Sequence, residues 1–173
     1  MKRYISLLSK NIFIILAFTA IVFIFFNLQT LFEYLKISYI SGGDAPSYIG
    51  VGEYYAKHIF PSTWGWTPNW FAGMPFPQFY PPLIFILTAL FSKIFFFLSY
   101  ITVFKLFSLS IQVLVPVSIV WLTYHTTKNI YSTWFSVFLS ILFVSHDALF
   151  GRFDGLTIAS TLNSGFVAQA FGF

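Results

Sequence analysis

Cysteine is absent from the chain, and charged side chains are scarce. Without cysteine, neither a disulfide framework nor a thiolate metal site can form. Cysteine usage therefore does not indicate whether the protein works in a reducing or an oxidising compartment. Only 8% of the 173 residues are charged, and nine basic residues outnumber five acidic ones. The net charge of +4 is spread over widely separated positions, which argues against nucleic acid as a partner.

Apolar and aromatic side chains take the place of the missing charge. Hydrophobic residues make up 58% of the sequence and aromatic residues 23%, with 25 phenylalanines, and the mean hydropathy is +0.81. So short a chain could not enclose this much apolar surface in water. The composition predicts an all-α integral membrane protein whose apolar side chains are covered by membrane lipid.

The N-terminal stretch has the pattern of an uncleaved membrane span. Residues 11–32 carry no charge and are about as long as a bilayer-crossing helix, and no small-residue cleavage site follows them. The preceding basic residues Lys2, Arg3 and Lys10 predict a cytoplasmic N-terminus in the cell membrane. Residues 33–80 would then form a long outside loop.

Two further apolar stretches carry one lysine each, Lys93 and Lys105. A lysine at mid-depth in a bilayer costs about 2.5 to 3.5 kcal/mol on insertion scales. Both amines should therefore lie near an interface. Extension of the amine to the head groups is one interpretation, and contact with a lipid phosphate is the other.

Two arrangements keep these lysines near an interface. In the first, residues 82–98 cross the membrane and are followed by spans at 102–124 and 131–144, which gives four spans. In the second, residues 82–98 form a re-entrant or surface helix, and the chain has three spans. Only the second arrangement places residues 145–173 outside, together with the loop 33–80.

Within the outside loop, a short helix is predicted near its start. Apolar side chains recur at helical spacing between residues 48 and 59. Glu53 and Lys57 are four positions apart on the other, solvated side, where we expect them to form an ion pair. This pattern is typical of a helix lying along the membrane surface.

Asp44 is the acidic residue with the most unusual surroundings. It lies in the stretch GGDAP, directly after the apolar N-terminal region. The glycines allow a sharp turn and a close approach by another group, and Pro46 suits the first turn of a helix. Asp44 could cap that helix or serve as a functional carboxylate, and a capping residue can still face a binding site.

Other polar residues are weaker candidates. Asp154 could join Asp44 in the three-span arrangement, while an ion pair with Arg152 is the simpler interpretation. Trp66 and Trp70 could form an interfacial belt or a flat platform for a sugar or lipid head group. The three histidines of the chain lack ligand spacing, so no metal site is assigned.

The loop as a whole resembles a known family. The chain has a basic start and one span, and its outside loop opens with GGDAPSY. The loop continues with W-x-x-x-W-F-x-G-M-P and with Y-P-P-L before an apolar helix. This arrangement resembles the N-terminal part of the C-type glycosyltransferase superfamily. More narrowly, residues 10–150 are similar to prokaryotic membrane proteins labelled 6-pyruvoyl-tetrahydropterin synthase-related. That label does not imply pterin chemistry, because this chain lacks a zinc-binding histidine cluster.

The resemblance implies a catalytic role for Asp44 as general base, or as ligand of a divalent metal in members that use one. The donor would be a polyprenyl-phosphate sugar used on the outer membrane face. Trp66, Trp70, Tyr80, Lys105 and Asp154 are the candidate substrate-binding residues. Tyr80 begins the segment that would lead a surface helix, which favours three spans.

The sequence departs from this family in two respects. Many relatives have two adjacent acidic residues in the loop, whereas here Ala45 follows Asp44. The later spans are also missing, so we expect an N-terminal part of a larger protein that is inactive without its C-terminal part. The alternative hypothesis is a non-catalytic, membrane-anchored structural or transport-associated subunit.

Overall fold

The computed structural model describes residues 2–38, 45–68, 72–76 and 82–145. This part of the chain is mostly helical, which confirms the helical part of the predicted fold class. Its elements are α1 (Lys2–Phe26), α2 (Leu28–Lys36), α3 (Ala45–His58), β1 (Gly65–Thr67), β2 (Met74–Phe76), α4 (Pro82–Ile94), α5 (Tyr100–Thr127) and α6 (Ile130–Ser145).

Helix α5 is the axis around which the described elements pack. It contacts α1, α2, α3, α4 and α6. Ser99 caps its N-terminus, because the Ser99 hydroxyl accepts a hydrogen bond from the Thr102 amide at 3.3 Å. The helix ends at Thr127, and the next residue, Lys128, is in the left-handed conformation with φ 52°. At 28 residues, α5 is the one unbroken helix among the described residues that is long and apolar enough to cross a membrane.

Helices α1 and α2 form a bent pair instead of one straight span. Their axes differ by 65°, and the two together pass the same length and composition test as a second candidate span. The break lies at Asn27, whose side-chain amide donates to the Phe23 carbonyl and to Ser145 Oγ, both at 2.8 Å. The continuous helix predicted for residues 11–32 is therefore interrupted where a buried polar side chain joins α1 to α6.

Helices α4 and α6 are apolar but short. They contain 13 and 16 residues, fewer than the roughly 20 that cross a bilayer without thinning it. Helix α4 ends at Ile94, and residues 95–98 form turns and a bend instead of continuing the helix to residue 98. The prediction of three or four spans therefore remains a prediction.

A small antiparallel hairpin lies in the segment predicted to be an irregular loop. Strands β1 and β2 pair in the register Gly65–Phe76, Trp66–Pro75 and Thr67–Met74. Positive φ angles at Ala72 and Gly73, 66° and 108°, precede the second strand. Strands of three residues are too short to show an alternating pattern of apolar and polar residues in the sequence, so the sequence did not predict them.

The buried core is continuous from the helical bundle to the hairpin. Phe23, Val120 and Val144 lie at the bundle end of this core, while Tyr55 and Phe76 link α3 and β2 at the other end. The rings of Phe76 and Phe85 meet edge to face with centroids 4.6 Å apart. The hairpin and α3 are thereby packed against α4 through aromatic contacts.

Candidate functional site

The structure describes two of the six predicted site residues, Trp66 and Lys105. Asp44, Trp70, Tyr80 and Asp154 lie outside the described residues, and their roles stay predictions. The elements that flank Asp44 in the sequence are described. Helix α2 ends eight residues before Asp44, and α3 starts directly after it.

Lys105 is buried in the second turn of α5, with 5% of its surface exposed. Its amine donates to the carbonyl oxygens of Leu35, at 3.3 Å, and of Ile37. The ring of Tyr34 lies 5.7 Å from the amine nitrogen. The predicted phosphate contact is not tested by this geometry, but two backbone carbonyls already accept hydrogen bonds from the amine.

Those carbonyls lie at the C-terminal end of α2. The last carbonyls of a helix have no partner within it and carry the negative end of its dipole. A positive amine placed there satisfies both the hydrogen-bonding and the charge requirement. A lysine within an apolar stretch is visible in the sequence, but the contact of Lys105 with residues about 70 positions earlier has no local sequence signal.

Trp66 lies on β1 with 57% of its surface exposed. One part of the indole lies against Gly73, so closely that a Cβ atom there would overlap the ring. Trp64 is also largely exposed, and the Ser62 hydroxyl donates to its carbonyl at 2.6 Å. The hairpin therefore holds one indole in place by its own backbone and leaves much of the ring uncovered, as a stacking surface requires.

Helix α3 is fixed on α4 and α5 through Tyr100, the first residue of α5. The Tyr100 hydroxyl lies 3.0 Å from Thr88 Oγ1 on α4, and it approaches Gly52 so closely that no Cβ could be accommodated there. The rings of Tyr48 and Phe85 stack with centroids 5.6 Å apart. Glycine at position 52 therefore permits the close approach of α3 to the start of α5.

Tyr55 links α3 to the chain that leads into the hairpin. Its side chain is buried, and its hydroxyl donates to the Ser62 carbonyl at 2.8 Å. Burial raises the pKa of Tyr55 above its ordinary value, because the phenolate would lose its hydration. The phenol therefore stays a hydrogen-bond donor at neutral pH.

The described carboxylates are engaged on the surface. Glu53 accepts a hydrogen bond from the Lys57 amine at 2.7 Å, which forms the predicted ion pair. Glu33 accepts a hydrogen bond from the Gln29 amide at 2.9 Å. Within the described ranges, no three His, Asp or Glu side chains are grouped so that they could hold a metal ion. A buried carboxylate base would therefore have to come from another part of the chain.

Comparisons with known proteins identify no relative of this chain. A scan against models of protein families, a search of characterised proteins and a search of solved structures each find no match.

Proposed function

We propose that the chain is the membrane-embedded N-terminal part of a glycosyltransferase-like protein that uses a polyprenyl-phosphate-linked sugar on the outer membrane face. The observation that supports this most directly is the anchoring of both helices that flank Asp44. Lys105 binds the end of α2, and Tyr100 packs against Gly52 of α3. These two anchors are five residues apart on α5, about 7.5 Å along the helix axis.

Such anchoring suits a catalytic segment. A side chain that must accept a proton from a bound acceptor needs a fixed position, because misplacement by about 1 Å can lower a rate about 100-fold. The chain that carries Asp44 leaves one anchored helix and enters another.

The surface composition supports the membrane part of the proposal. Large apolar side chains are exposed along the bundle, among them Phe25 on α1, Leu122 on α5, and Phe135 and Phe138 on α6. Contiguous apolar surface of this kind is rare on soluble monomers. Together with the length of α5, it favours insertion in lipid.

In the proposed reaction, Asp44 accepts a proton from the acceptor hydroxyl or amide as that group attacks the anomeric carbon. The bond from this carbon to the lipid phosphate breaks, and the phosphate leaves with the bonding electrons. The exposed ring of Trp66 would stack on the sugar.

The test is sugar transfer in membranes that contain the complete protein. We expect Asp44→Asn to lower the rate of transfer from a radiolabelled polyprenyl-phosphate hexose by about 100-fold to 10,000-fold, because the amide cannot accept the proton. Glu53→Gln removes an exposed, paired carboxylate and serves as the matched control. Unchanged transfer by the Asp44→Asn protein would contradict the proposal.

The non-catalytic hypothesis is favoured by one observation. The buried amine of Lys105 is used for contacts within the fold, as expected of a scaffold. Under this hypothesis both the Asp44→Asn and the unmodified protein would lack transfer activity, while the membrane topology would be unchanged.

A further inference from the structure

Helix α2 does not end in a left-handed residue. The residue after it, Ile37, is extended, with φ −61° and ψ 124°, instead of left-handed. Many helices end in a left-handed residue, and the backbone amides of that residue and the next one donate to the last carbonyls of the helix. At this end the Ile37 amide donates to the Glu33 carbonyl at 3.2 Å, and the carbonyls of Leu35 and Ile37 accept hydrogen bonds from Lys105.

The local lysine does not supply this contact. Lys36, in the last turn of α2, is exposed, and its amine lies over the Phe32 ring at 4.2 Å from the centroid. The donor comes instead from α5, about 70 residues later. Lys105 is buried, and removing its amine would remove the hydrogen bonds that both carbonyls accept from it.

A second contact joins the same two helices. Tyr34 of α2 is buried, and its ring centroid lies 5.7 Å from the Lys105 amine. Lys105 therefore contacts α2 through the carbonyls at its end and through the Tyr34 ring. The axis of α2 is bent by 65° from that of α1, so its direction depends on contacts with other helices such as α5.

We propose that Lys105 is a positioning residue that fixes where the chain leaves α2. It acts as a C-terminal cap supplied by another helix and sets the direction in which the chain departs toward Asp44. This role concerns the fold and does not require the proposed reaction. Its effect on sugar transfer does rest on the proposed function.

The absence of cysteine allows a direct distance measurement. Spin labels at exposed Ser38, just after α2, and at exposed Ser118 on α5 report the position of the α2 end. A second pair, Ser47 and Ser118, reports whether α3 stays in place. The distances are measured by pulsed electron paramagnetic resonance in lipid nanodiscs for the unmodified protein and for Lys105→Met, Lys105→Arg and Lys36→Met.

We expect Lys105→Met to shift or broaden the Ser38–Ser118 distances by about 5 Å. A tilt of about 20° moves the end of a nine-residue helix by about this much, given a rise of 1.5 Å per residue. The Ser47–Ser118 distances should stay narrow, Lys105→Arg should restore the original distances, and Lys36→Met should change neither pair. Unchanged Ser38–Ser118 distances in Lys105→Met, or broadening of both pairs, would overturn the positioning role.

Sugar transfer provides the separate readout. If the proposed function holds, Lys105→Met should lower kcat more than it raises KM for the acceptor, and Lys105→Arg should recover most of the rate. If the unmodified protein has no transfer activity, the proposed function fails. The distance result then still decides the role of Lys105.

Discussion

Buried polar side chains in the described bundle mostly form hydrogen bonds within their own helix. The Thr19, Ser108 and Ser140 hydroxyls donate to carbonyls three or four residues earlier. Asn27 differs, because its amide also reaches Ser145 on another helix. Gln112 is fully buried, and its side-chain amide has no hydrogen-bond partner within the described chain. Polar contacts between helices are therefore few, and each should be measurable.

We expect Asn27→Ala to destabilise the protein by about 1 to 2 kcal/mol, because the Ser145 hydroxyl and the Phe23 carbonyl lose their donor. Unfolding in detergent micelles, followed by circular dichroism, measures this change. A double-mutant cycle with Ser145→Ala should give a coupling of about 0.6 to 1.7 kcal/mol. The exposed Gln29→Ala control should stay within about 0.5 kcal/mol, and zero coupling would contradict the contact.

Two glycines of α3 should respond in opposite ways to alanine. Gly52→Ala should destabilise the protein by about 1 to 3 kcal/mol, because the new Cβ would overlap the Tyr100 hydroxyl. At Gly50 a Cβ atom would meet no other atom within 4 Å, so Gly50→Ala should stabilise the helix by about 0.5 to 1 kcal/mol.

The same unfolding measurement decides between these outcomes. In a Tyr100→Phe background the penalty of Gly52→Ala should shrink, because the overlapping hydroxyl is gone. Equal effects of alanine at Gly50 and Gly52 would show that the close approach of α3 to α5 is wrong.

At the scale of elements, what the sequence predicted was local. The Glu53–Lys57 spacing predicted an ion pair on a short helix, and both are observed. The bend at Asn27 was not predicted, because it depends on a partner 118 residues away. The cap that Lys105 supplies to α2 depends on a contact of similar range. Patterns along the chain report one helix at a time, whereas these features depend on two.

The hairpin yields a prediction at the same scale. Gly73 combines a φ of 108° with close packing under Trp66, so Gly73→Ala adds both backbone strain and overlap with the indole. We expect the amides of β1 to exchange hydrogen at least about 10-fold faster, equivalent to about 1.4 kcal/mol of lost local stability. Hydrogen exchange read by mass spectrometry measures this, with α6 as the internal reference, and unchanged exchange in β1 would contradict the packing of Trp66 on Gly73.

At the scale of the whole molecule, α5 connects the apolar bundle to the proposed site. It packs with α1 and α6, and its first two turns contact α2, α3 and α4 through Lys105 and Tyr100. The composition of the sequence already predicted a helical membrane protein, and the helical fold is confirmed. It did not predict that one helix holds both α2 and α3, the helices on either side of Asp44, because this depends on contacts of α5 with residues far away in the sequence.

We propose that α5 crosses the membrane and that the segment around Asp44 lies on the outer side. The most direct test is labelling of single cysteines, placed at Ser47, Thr127 and Ser160 of this cysteine-free chain, with a membrane-impermeant reagent in intact cells. The account predicts labelling from outside at Ser47 and Ser160, and labelling at Thr127 only after the membrane is opened. Labelling of Ser47 and Thr127 from the same side would contradict this topology, because the segment around Asp44 and the end of α5 would then not be separated by a single membrane crossing.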